Sequence, residues 1–234
     1  MIVKGKKVLP QKASLEEQIQ KMSEESAERL AWAVGNAAFK IFRSRKFRRY
    51  LDFEGLEQTE QDRIFNELSV TALLLIIFTF EASDLESPPG LKDYLEQLKK
   101  EVIEAHIRIF KDLGVERKYR RLWRKLIDIR YREYQEERLK VREAGMELYS
   151  KEAPLKIEDL SEIQLTLPVE TLAIGCFRHV TRGKSKPEDP LFPMIVRWLG
   201  DFYLDIRLIA EGRRLRWWQR LLLRSRRLWR RLRS

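Results

Sequence analysis

Apolar residues recur along this chain at helical spacing, and no segment alternates convincingly with the two-residue period of a half-buried strand. Leu15, Ile19, Met22, Leu30, Ala33, Ala37 and Ile41 lie three residues, four residues or sums of these apart, and they follow Ser14 and Glu17, which have the spacing of a capping box. The pattern predicts a first helix reaching to about Tyr50, with a kink near Gly35. Thr59 and Asp62 open a second helix. Its residues 68–80 are apolar on every side except for Ser69, Thr71 and Thr79. That run is shorter than the roughly twenty residues needed to span a bilayer, so it predicts a central helix buried on all faces. Ser87, Pro88, Pro89 and Gly90 stop it by removing backbone donors. A third helix runs from Leu91 to about Leu113, with Gly114 in the C-cap position.

The fourth segment, from Val115 to about Ser150, begins with a stripe of Val115, Tyr119, Leu122, Leu126 and Ile129, which fades where charges crowd residues 130–143. A helix polar nearly all round projects into solvent or bridges to another body, so residues 130–150 are expected to extend beyond the bundle. Pro154 and Pro168 mark a less regular stretch, followed by a short helix over 169–182 that ends at Gly183. A last helix starts near Leu191 and carries Ile195, Val196, Trp198, Leu199, Phe202, Tyr203, Ile206 and Ile209 inward. The fold class expected is all-α, a single bundle of five to seven helices. Residues 1–212 form its body, and 213–234 form a basic amphipathic C-terminal helix.

Composition supports a folded body: 44% of the 234 residues are hydrophobic, enough for a real core. The one cysteine, Cys176, excludes an intrachain disulfide and favours a reducing compartment. Met1 and the basic residues after it lead into an amphipathic run without a signal-peptide core. A cytoplasmic protein is expected, peripheral at the inner face of the membrane if the C-terminal segment acts as described below.

Catalytic and metal signatures are sparse. The chain has no phosphate-binding glycine loop, nucleophile elbow, Cys-x-x-Cys or His-Glu-x-x-His. Glu104 and His106 are two apart, which points their side chains about 200° apart on a helix. Cys176 and His179 are one turn apart in an apolar segment, where a lone cysteine acts as a small hydrophobe. Glu67, Glu81 and Asp128 sit within apolar stretches and are expected to form interhelical ion pairs with arginine. No metal, cofactor or catalytic group is predicted, and the sequence points away from an enzyme.

Charge carries the stronger signal. The chain has 47 basic and 36 acidic residues. Residues 213–234 hold ten Arg, six Leu and three Trp with no Lys and no acid, which leaves 37 basic against 36 acidic residues in 1–212. A block of one sign marks a surface that meets an anionic partner. At 100° per residue, Leu215, Trp218, Leu221, Leu222, Ser225, Leu228, Trp229 and Leu232 share an arc about 140° wide. Arg216, Arg220, Arg224, Arg227, Arg230 and Arg231 lie opposite, and Arg213 opens the segment. An Arg face against a Trp and Leu face is the pattern of a helix lying at a membrane interface. Two further readings stay open: a ridge for nucleic acid, and a docking helix for an acidic protein partner or a second copy of the chain. A second cluster, Arg43, Arg45, Lys46, Arg48 and Arg49 with Phe47 and Tyr50, is a candidate contact for the same anionic partner. A third, Arg117, Lys118, Arg120, Arg121, Arg124 and Lys125, surrounds Tyr119 and Trp123 and either stacks on bases or forms an ion-paired face.

Overall fold

The computed structural model describes residues 15–82, 91–151, 156–184 and 188–210. These form seven α-helices and one 3-10 turn, with no strand among the described residues: α1 (Leu15–Phe42), α2 (Arg45–Tyr50), the turn Phe53–Gly55, α3 (Gln58–Phe80), α4 (Leu91–Asp112), α5 (Arg117–Ser150), α6 (Ile157–Thr181) and α7 (Leu191–Ala210). The chain is an all-α helical bundle.

Helix α3 is the hub. Every residue from Leu68 to Phe80 is buried, because α1, α4, α5, α6 and α7 surround it in that order and each packs on it. Helix α2 closes the ring between α1 and α7, helped by the Trp198 indole N–H, which donates to the Ala37 carbonyl at 2.9 Å. Two hydroxyls are tolerated in this helix because they bond within it: Thr71 Oγ1 donates to the Glu67 carbonyl at 2.7 Å and Thr79 Oγ1 to that of Leu75 at 2.6 Å. By length and composition α3 is also the one helix among the described residues able to cross a membrane, and 83% of its most apolar window is buried within the protein.

The first predicted helix is two helices. Carried on straight, it would turn Phe47 about 120° away from the face of Ile41. The chain instead breaks at Ser44, whose ψ of 124° is extended, and α2 turns Phe47 fully inward. Phe53 follows it into the core, edge-on to Phe42 at 5.0 Å between ring centres. Gly35 lies within the continuous α1, and the expected capping residue Ser14 lies outside the described residues, as does the Ser87–Gly90 stop signal. Helix α4 ends as expected: Gly114 has φ +80°, its N–H donates to the Lys111 carbonyl at 3.0 Å, and that of Val115 to Phe110 at 2.9 Å.

Helix α6 corrects the sequence reading. It runs unbroken through Pro168, which cannot donate to the Gln164 carbonyl. Pro168 is buried between Leu167 and Val169, where α6 packs on α3, and tertiary packing of this kind outweighs local helix propensity. The same helix lies along the charged half of α5. Tyr134 of α5 is fully buried against Gly175 of α6, and Ile163 stands 3.4 Å from the place a β-carbon on Gly145 would occupy.

One end of the bundle gathers α2, the start of α3, the end of α6 and the start of α7. Arg63 of α3 donates to the carbonyls of His179 and Val180 at 2.6 and 3.0 Å, and Phe177 meets Phe192 at 5.4 Å between ring centres. Helix α7 then runs about 30 Å toward the other end, where the chain leaves it after Ala210.

Candidate functional site

The basic cluster on α2 has a definite geometry. Phe47 anchors the short helix in the core, and the side chains around it are thereby turned outward: Arg43, Arg45, Lys46 and Arg49 are exposed and Arg48 is half-buried. Arg43 lies over the Phe39 ring at 5.3 Å, Arg48 over Phe53 at 4.5 Å and Arg49 over Tyr50 at 5.7 Å. None of these five cations forms an ion pair with a described residue. Their charge is therefore available to an anionic partner.

The third cluster is used in part by the fold, while Arg117, Arg120, Arg121 and Lys125 form no ion pair with a described residue. Trp123 stacks on Phe110 at 4.5 Å and meets His106 at right angles, so the face it turns to Phe110 is not open to a base. Arg124 makes a two-pronged ion pair with Glu104, and Lys118 reaches Glu116 at 3.1 Å. Tyr119 remains exposed beneath Lys118. The sequence-predicted residues of the tail, Arg213 to Arg231 on one face and Trp218 to Leu232 on the other, lie outside the described residues.

A buried polar seam joins α3, α5 and α6. Arg130 donates to both oxygens of the buried Glu67, at 2.9 and 2.6 Å, and its third contact is Glu133 at 2.8 Å. Burial works against the Arg130 charge, but hydrogen bonds and attraction from Glu67 and then Glu133 outweigh it and raise its pKa. This is the interhelical pair expected of Glu67. Glu81 meets a lysine instead of the expected arginine, accepting bonds from Lys99, Tyr131 and Gln135, whereas Asp128 is exposed. At the mouth of the seam, Glu133, Glu136, Glu137, Lys140, Arg178 and His179 line an open cavity of about 190 Å³. His179 Nε2 stands 3.1 Å from Glu133 without the alignment of a hydrogen bond, and burial followed by the Arg130 charge lowers its pKa.

Neither residue that could suggest nucleophilic or metal chemistry is set up for it. Cys176 is fully buried, and burial pushes its thiol up to about 12, so at neutral pH it stays protonated and weakly nucleophilic. His106 is buried between Phe110 and Trp123 with no hydrogen-bond partner for either nitrogen, and burial lowers its pKa to about 4. Glu104, two residues away, is turned to Arg124 instead. Among the described residues no three His, Cys, Asp or Glu side chains gather as a metal site. Sequence reasoning missed the Arg63, Glu60 and Arg182 cluster that ties α6 to α3, because Arg182 is 122 positions from Glu60 and the His179 carbonyl that Arg63 reaches is 116 positions away. No family model, curated protein or solved structure matches this chain.

Proposed function

We propose that this protein is a non-enzymatic binding or scaffolding bundle that attaches to an anionic membrane surface through residues 213–234. One observation carries the reading: ten Arg, six Leu and three Trp stand in 22 residues without an acid, while the rest of the chain is almost neutral. Each Arg near an anionic leaflet contributes at most about 1 kcal/mol. Each large apolar group contributes at most roughly 1.5–3 kcal/mol when fully buried. The exposed cations of α2, unpaired with any described acid, support the same class of partner. Localisation at the inner face of a membrane follows as part of the proposal.

Sequence-independent nucleic-acid binding is the competing reading, favoured by Arg alternating with aromatics. Against it stand Trp123 and Arg124, which are engaged within the bundle. Vesicle cosedimentation, run beside fluorescence titration with single-stranded and duplex nucleic acid at low and high salt, separates the two. Membrane attachment predicts binding that needs anionic lipid, partly survives salt and is abolished by Trp218→Ser with Trp229→Ser. Binding to nucleic acid alone, with a steep salt slope untouched by those changes, contradicts it.

A further inference from the structure

Trp32 and Phe39 are seven residues apart on α1, which brings them within about 20° of the same face. Both are large, apolar and half exposed, at 53% and 49%. Between them a β-carbon on Gly35 would meet nothing within 4 Å, so no other described residue covers the stripe there. Beside Trp32, an open groove of about 120 Å³ runs to Leu113 at the end of α4, itself 69% exposed. On the α2 side the stripe continues into Lys40, Arg43, Arg45 and Lys46, all exposed and none ion-paired with a described residue. An apolar stripe that leads into unpaired cations has the chemistry of a headgroup contact: Trp and Phe enter the interface while the cations meet lipid phosphates and carboxylates.

We propose that the Trp32–Phe39 face of α1, with the cations beside it on α2, is a second membrane contact made by the folded body, and that its partner is a bilayer rich in anionic lipid. The proposal rests on the membrane reading of the tail. One feature favours lipid over a nucleic-acid strand: Leu113, at the far end of the groove from Trp32, offers no ring for a base to stack on but can enter the interface as an apolar group.

The full-length chain carries the test. Phe39→Cys, labelled with an environment-sensitive NBD fluorophore, reports on this face alone because Cys176 is buried and resists labelling. The expected result is a blue shift and brightening on mixed phosphatidylserine–phosphatidylcholine vesicles and none on phosphatidylcholine alone. In the unlabelled full chain, Trp32→Ser with Phe39→Ser lowers partition onto the anionic vesicles about tenfold with unchanged circular dichroism. Cosedimentation without a spectral shift overturns this contact and leaves the tail's attachment standing. Absence of cosedimentation overturns both. A shift on single-stranded RNA but not on vesicles makes the face a nucleic-acid contact. Emission that is already blue before vesicles are added, and is released by Trp218→Ser with Trp229→Ser, makes the tail the occupant. Either of these last two results refutes the proposal.

Discussion

Gly175 and Tyr134 show how tightly single residues are specified in this bundle. A β-carbon at Gly175 would stand 2.1 Å from Tyr134 Cε1, and that ring is fully buried, with no free direction in which to move. Gly175→Ala is therefore expected to cost about 3 kcal/mol or more in urea unfolding, and next to nothing in a Tyr134→Ala background. Equal costs in both backgrounds would refute the contact. The Glu67–Arg130 pair is specified by mutual dependence. Arg130→Met alone leaves the buried Glu67 charge unpaired and should cost about 3–5 kcal/mol, Glu67→Leu should cost less because Arg130 keeps Glu133, and the double change should cost less than the sum. His106 sets a pH dependence. Its folded pKa of about 4 lies below the ordinary 6.5, so the unfolded chain binds more protons between those values. Stability is full above pH 6.5 and falls as pH drops toward 4; His179 contributes in the same direction. His106→Leu should flatten the decline between urea melts at pH 7 and pH 5, and an unchanged slope would contradict the assignment. Glu60 acts in a lower window. Arg63 hydrogen bonds hold it at about 2, so its contribution is present above 4.5 and is lost as pH falls toward 2.

Among elements, α3 was the most readable and α6 the least. Thirteen residues without a polar face admit one solution in water, a helix walled in on all sides, and the burial of residues 68–80 follows directly. Leu74→Asp places an unpaired charge at that hub and should leave no cooperatively folded protein. A wild-type melting curve for this variant would overturn the assignment. Local chemistry also marked the end of α4, because Gly114 takes there the left-handed conformation that glycine adopts without strain. Pro168 misled for the opposite reason. Its cost to the helix is local, whereas the compensation comes from α3, which ends at Phe80, far away in the sequence, and no spacing rule reports that. The break at Ser44 was hidden similarly, since only the inward demand of Phe47 and Phe53 reveals it. Of the candidate site, the α2 cations were legible as a cluster. Their freedom from ion pairs, and the neighbouring exposure of Trp32 and Phe39, became visible only once the helices were placed.

At the scale of the whole molecule, charge and apolar surface are distributed rather than concentrated in a pocket. The α2 cations lie at the end of the bundle where α7 begins, and the chain continues toward its Arg-rich segment from α7's other end, about 30 Å away by helical rise. A protein attached through both would lie along its α1 and α7 side. The proposed attachment rests on residues 213–234, whose removal takes the net charge from +11 to +1. The most direct measurement is cosedimentation of the full chain and of a chain ending at Gly212 with phosphatidylserine-containing vesicles, after circular dichroism has shown both to be folded. The shortened chain is expected to lose most of its binding, and the remainder to depend on Trp32 and Phe39. Equal binding by the two chains would contradict the proposed attachment.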